Sequence, residues 1–196
     1  MMGIGTLIIF IAVILVAAVA AAVLVSVASN LQQRSLMTGI QTEEGIATGL
    51  EVVSVMATDG SVGSDVENFE VLVRLQPGSD PMNLNNTVLL MDTSANSESL
   101  SYNGTADSTD GGTAVDTAHF NVFYAKQGPD YKANYVSRGD IVKLKFKCYD
   151  CTAGDTGGVG ENKKVRMKII PRVGTPAIVE FTTPDVITDN RINLWP

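Results

Sequence analysis

The first thirty-three residues constrain this chain more than anything that follows them. Met1 to Gln33 contains no Lys, Arg, Asp, Glu or His, and Thr6 is the only polar side chain before Ser26. As an α-helix the run would be roughly 45–50 Å long, and about 20 apolar residues already span a bilayer core. It is apolar on every side, so it has no face to offer to water. Fifteen large apolar side chains (Ile, Leu, Val and Phe) lie between Ile4 and Val27. Exposing them would cost on the order of 20–45 kcal/mol, at about 1.5–3 kcal/mol each. These residues must therefore lie in lipid or against copies of themselves.

Taken alone, such a run reads most simply as a membrane anchor. It lacks the basic start of a secretory signal peptide, and its apolar core is longer. It is also rich in small residues, with Ala17, Ala18, Ala20, Ala21 and Ala22 set among Val and Leu. Small side chains let helix backbones approach closely. Transfer from lipid into a helix bundle gains little hydrophobic free energy, so packing and contacts elsewhere would have to drive assembly.

The rest of the chain is of another kind. Residues 51–196 hold 13 Lys+Arg and 19 Asp+Glu, which is the chain totals of 14 and 21 less Arg34 and less Glu43 and Glu44, for a net charge of −6. That balance disfavours nucleic acid, which needs basic patches. It favours solubility, and it predicts that salt or divalent cations steady any polymer of the chain.

Residues 31–50 continue the rod in amphipathic form, with Leu36, Ile40, Ala47 and Leu50 able to share a stripe. Gly39, Gly45 and Gly49 each cost a helix about 1 kcal/mol relative to Ala. Packing can outweigh that, so the helix is expected to reach about residue 48; a flexible neck at the glycines is the competing reading. The domains are therefore 1–49, an N-terminal hydrophobic helix, and 50–196, a globular outer domain. From Leu50 the apolar period becomes two. Strands are expected at Val52–Ala57, with Val53, Val55 and Ala57 on one face, and at Phe69–Leu75, Thr87–Met91, His119–Tyr124, Asp140–Cys148, Lys164–Ile170 and Ala177–Thr182. In the Asp140–Cys148 strand Val142, Leu144, Phe146 and Cys148 face one way and Lys143, Lys145 and Lys147 the other. Asp92–Gly112 and Ala153–Gly160 are dominated by Ser, Asn, Thr, Asp and Gly and read as surface loops. The fold class is α+β: a long hydrophobic α-helix followed by an antiparallel, Ig-like β-sandwich.

Few residues carry chemistry. Asn85-Asn86-Thr87 and Asn103-Gly104-Thr105 match the N-glycosylation pattern, against the plain reading of two loop asparagines. Cys148-Tyr149-Asp150-Cys151 has no second pair for zinc and lies at a strand end, where the helix of a redox C-x-x-C is missing. Outside the cell a disulfide is the better reading, with free thiols as the alternative. Asp92, Asp107, Asp110 and Asp116 could supply oxygens to Ca²⁺, Asp107 and Asp110 first among them, although the EF-hand pattern is absent and solvated carboxylates are favoured. His119 is read as a strand-surface residue. No nucleophile, phosphate-loop or zinc-protease motif is present, so no enzyme is expected and no cofactor is required.

Gly3-Ile4-Gly5-Thr6-Leu7-Ile8-Ile9-Phe10-Ile11-Ala12, followed by Val16-Ala17-Ala18-Val19-Ala20-Ala21, resembles the mature N-terminus of the archaeal flagellins (archaellins), within the type IV pilin-like superfamily. Thr183 to Pro196, ending Asn193-Leu194-Trp195-Pro196, resembles their C-terminus. Bacterial type IV pilins have a similar rod but usually carry Glu at the fifth position, where this chain has Gly5. The resemblance implies a structural subunit that polymerises through Gly3, Ile4, Gly5, Leu7, Phe10, Ile14, Ala17, Ala18 and Ala21 into an extracellular helical filament for swimming. It implies identical subunits as partners, residence in the membrane before assembly, and help from a prepilin-type signal peptidase, an assembly ATPase and a membrane platform protein. A basic leader removed just before Met1 would be part of that route. Archaellins are often N-glycosylated, which bears on Asn85 and Asn103, and some bind metal in the β-domain. A pilus subunit used for adhesion, or a membrane-anchored extracellular binding domain, are the alternatives.

Overall fold

The computed structural model describes residues 2–60, 65–94, 96–107, 118–148 and 157–196, without the side chains of residues 2 and 105–107. The chain divides into two compact units, Met1–Glu43 and Glu44–Pro196. Helix α1, Met2–Ala47, is unbroken over 46 residues, a length of about 70 Å. Gly39 and Gly45 lie inside it, and a Cβ at either would meet nothing within 4 Å. Their propensity cost does not end the helix, which reaches Ala47. The hydroxyls of Thr6, Thr38 and Thr42 in α1 are satisfied within the helix. Thr6 donates to the Gly3 carbonyl (3.0 Å), Thr38 to that of Arg34 (2.9 Å) and Thr42 to that of Thr38 (2.8 Å).

Where α1 ends, the backbone passes directly into other hydrogen bonds. The Thr48 N–H donates to the Glu44 carbonyl (3.1 Å), and the Gly49 N–H donates to Ser79 Oγ (3.1 Å). The Thr48 and Gly49 carbonyls accept from the N–H groups of Thr175 (2.9 Å) and Gln76 (3.0 Å). Glycine at 49 leaves room for the Gln76 and Thr175 side chains, which a Cβ there would displace. At Gly174, φ +111° favours glycine, and a Cβ there would collide with the Thr48 backbone carbonyl.

Among the described residues eleven strands follow: β1 Leu50–Ala57, β2 Asn68–Leu75, β3 Met82–Asn83, β4 Val88–Thr93, β5 Ser97–Asp107, β6 His119–Lys126, β7 Tyr135–Val136, β8 Ile141–Lys147, β9 Lys164–Ile170, β10 Ala177–Thr182 and β11 Ile192–Trp195. Nine form one sheet in the order β10-β9-β4-β5-β6-β8-β2-β1-β11, and β3 pairs with β7. Every pairing is antiparallel except β5 with β6. The edge strand β10 lies against β1 and β11 at the other edge. Phe181 of β10 meets Phe69 of β2 at 6.4 Å between ring centroids. The sandwich is thus one sheet folded back over a shared core. The expected long apolar helix followed by a mostly antiparallel β-domain is borne out.

The core is built by period-two burial. Val142, Leu144, Phe146 and Cys148 are fully buried as their alternation predicts, and Phe146 stacks on Phe69 at 5.5 Å. Strand β1 departs from the expected phase. Its register shifts between Val52 and Ser54, so Val52 and Val55 both point inward and Val53 is left exposed. An extra residue in one strand of a pair produces such a switch. The Asp92–Gly112 surface-loop reading is also corrected. Ser97–Asp107 is strand β5, in mid-sheet, with Leu100 and Tyr102 buried. The Tyr102 hydroxyl donates to Asn134 Oδ1 (2.7 Å), and burial pushes its pKa up to about 12. Tyr124 donates to the Tyr135 carbonyl (2.7 Å) and is raised further, again chiefly by burial. On the outer face the lysines of β8 are not simply solvated. Lys143 and Lys145 each lie 3.4 Å from Glu70, whose side chain is largely buried.

Candidate functional site: an uncovered apolar helix

Every described side chain from residue 3 to 44 of α1 is exposed. Phe10 is 63% exposed, Ile4 68% and Ile14 50%. Gly3, Leu7, Phe10, Ile14, Ala17 and Ala21 recur at alternating steps of four and three, which places them along one side. Ile4 and Ala18 border that side, and Gly5 faces away from it. The adjoining surface is no less apolar: Ile9, Ala12, Val13, Val16, Ala17 and Ala20 border a shallow groove with no polar lining. A Cβ at Gly3 or Gly5 would meet nothing within 4 Å. Nothing inside the chain requires glycine there, so any demand for small size comes from a neighbouring molecule. α1 is also long and apolar enough to cross a membrane.

The remaining predicted residues are scattered over the β unit. Asn85 sits exposed in a 3₁₀ turn, Leu84–Asn86, and its N–H donates to Asn83 Oδ1 (2.9 Å). Its sequon partner Thr87 is buried and donates its hydroxyl to the Asn83 carbonyl (3.3 Å). Asn103 is exposed on β5 beside Gly104 (φ +79°), and its Nδ2 donates to Asn121 Oδ1 (3.2 Å). Cys148 is fully buried and disulfide-bonded; Cys151 lies outside the described residues. Asp92 pairs in register with Arg166. Asp107 closes β5, its side chain not described, while Asp110 and Asp116 lie outside the described residues. Among the described residues no three of His, Cys, Asp or Glu gather as a metal site. His119 opens β6, half-buried. Sequence reasoning missed the collar of Ser79, Gln76 and Thr175 that holds Thr48 and Gly49, because its members are remote in the chain and none belongs to a motif.

A β unit with its own closed core, preceded by a long apolar helix whose side chains are exposed from residue 3 to 44, defines a structural subunit that is completed by assembly with other molecules. The archaeal-type flagellin model matches residues 1–181. The chain belongs to that family and is a structural filament subunit. Among its relatives, flagellin B5 of Pyrococcus abyssi is 30% identical, with 98% of this chain and 97% of the relative covered. Flagellin B2 of Methanocaldococcus jannaschii is 33% identical, with 93% and 88% covered. The fold is similar to that of the archaeal flagellum of Methanospirillum hungatei strain JF1, at a TM-score of 0.69 and 16% identity over 99% of both chains. It is also similar to archaeal flagellin FlaB1 of M. jannaschii, at a TM-score of 0.64 and 22% identity over 76% of this chain and 98% of that one.

Proposed function

We propose that this chain polymerises with identical copies into the extracellular filament of an archaellum, its α1 rods forming the core and its β units the sheath. The observation that carries this reading is the exposure of all fifteen large apolar side chains between Ile4 and Val27, none below 49%. Water cannot be their surroundings, at a cost on the order of 20–45 kcal/mol. Before assembly they lie in the membrane. Identical rods joined head to tail by a rotation that does not close generate an open helical polymer. The subunit's work is then mechanical: a stiff helix turned at its base propels the cell. It catalyses nothing and requires no cofactor. A prepilin-type peptidase, an assembly ATPase and a membrane platform protein would process and export it.

In this reading Asn85 and Asn103 carry glycans on the sheath. The chain has two cysteines, so we pair Cys148 with Cys151 as a disulfide across the turn after β8. We read Asp107 and Asp110 as solvated carboxylates in preference to Ca²⁺ ligands. The test is electron microscopy of sheared surface material from cells expressing Phe10→Asp or Ala18→Asp. Each is expected to abolish filaments while the β unit keeps its circular dichroism and protease resistance. Filaments of normal number from either variant would overturn the proposal.

A further inference from the structure

The charges of α1 are as informative as their absence. The helix carries three, Arg34, Glu43 and Glu44. All are exposed, and Arg34 and Glu43 meet no opposite charge in any ion pair among the described residues. Arg34 directly follows the uncharged run, so rods that pack along their length draw water away from it. A dried guanidinium without a partner is strongly unfavourable, and a facing carboxylate offsets that cost.

Geometry selects which carboxylate. Parallel rods related head to tail meet through different faces, the front of one against the back of the next. A residue and its partner in such a contact must therefore lie on opposite sides of the same helix. Nine residues at about 100° each place Glu43 about 180° from Arg34, and at 1.5 Å each about 14 Å further along the axis. Glu44 lies only about 80° from Arg34. It belongs to the other compact unit, where it borders a cleft with Thr48, Asp80 and Arg172.

We propose that Arg34 of one subunit pairs with Glu43 of a neighbouring copy, and that this pair fixes adjacent rods parallel and staggered by about 14 Å. The inference rests on the filament reading above and adds the register of the contact to it. In the packed array every subunit gives one Arg34 and one Glu43, so the contacts repeat along the polymer without closing. The apolar surfaces alone are permissive about sliding, since Ala, Val and Leu repeat along the rod. A single charge pair removes that freedom, as one polar pair fixes register in coiled coils.

Two experiments on full-length filaments test it. In the first, Arg34→Glu and Glu43→Arg are each expected to lower filament number on the order of tenfold or more, and the double exchange to restore it. In the second, filaments of an Arg34→Cys, Glu43→Cys double variant are oxidised and run without reductant. Within one helix these positions are about 14 Å apart on opposite sides, beyond disulfide reach. A ladder of multimers is therefore expected from the double variant and none from either single one. No rescue by the exchange, an unlinked double variant, or single variants that dimerise as readily, would each overturn the pairing. Any of these results with abundant wild-type filaments leaves the filament reading intact. Absence of wild-type filaments would sink that reading instead.

Discussion

Replacing Phe10 by Ala separates two contributions that the filament combines. The ring is 63% exposed on the isolated helix. Full burial of a Phe side chain stabilises by about 1.5–3 kcal/mol, so covering the open part contributes about 1–2 kcal/mol per subunit. Ala forfeits most of that, and any cavity left by neighbours that do not close adds to the loss. At about 1.4 kcal/mol per factor of ten, the concentration of subunits in equilibrium with filament ends should rise about 5- to 30-fold. That figure applies to release into water. Assembly from the membrane should hardly change, because the ring leaves surroundings as apolar as those it enters. Phe10→Asp differs in kind, since its carboxylate must be dried at a cost of several kcal/mol. The assay is to dilute washed, sheared filaments into detergent-free buffer and measure released subunits by sedimentation. Phe10→Ala filaments should form in normal number yet release more subunit. Release equal to wild type would refute burial of Phe10 in the filament.

Other perturbations probe the β unit. Phe146→Ala removes a fully buried ring stacked on Phe69, and should destabilise that unit by about 3–5 kcal/mol, read as a lowered calorimetric Tm. Asp140 is buried and accepts from the N–H groups of Gly128 (2.6 Å) and Ser137 (2.8 Å). Asp140→Ala orphans both donors and should cost about 1–3 kcal/mol in urea unfolding, with faster exchange at those two amides. Tyr102 and Tyr124 both titrate above the ordinary phenol range when folded. The stability they contribute is whole below the unfolded value of about 10 and declines above it. For Tyr102 it is lost as pH rises through about 12. Ultraviolet titration should show late ionisation of Tyr102 and Tyr124, and the delay should vanish in denaturant.

Where neighbours along the chain decide the outcome, the sequence was a sufficient guide. α1 follows from an uninterrupted apolar run, and β8 from strict alternation of Val142, Leu144 and Phe146 with lysines. Strand β5 was hidden because Ser97, Ser99, Ser101 and Asn103 have weak strand preference. What makes it a strand is β4 on one side and β6 on the other, and neither is visible locally. The two-residue strands β3 and β7 are too short to show a period. Strand β11 has only Ile192 and Leu194 to alternate, and its partner β1 is remote in the chain. The bulge at Val53 has no signature in a run of Val and Ser. As for the site, composition alone marked the apolar helix. Its contact geometry was not legible there, because the surfaces that complete it belong to other copies.

Thr6 donates its hydroxyl to the Gly3 carbonyl one turn earlier in its own helix. It is the single polar side chain in the first twenty-five residues, and its donor is engaged from within. The tip of the rod can therefore be passed from one oily surrounding to the next with that donor already satisfied. Moving the tip between such surroundings then requires no stripping of water from that donor.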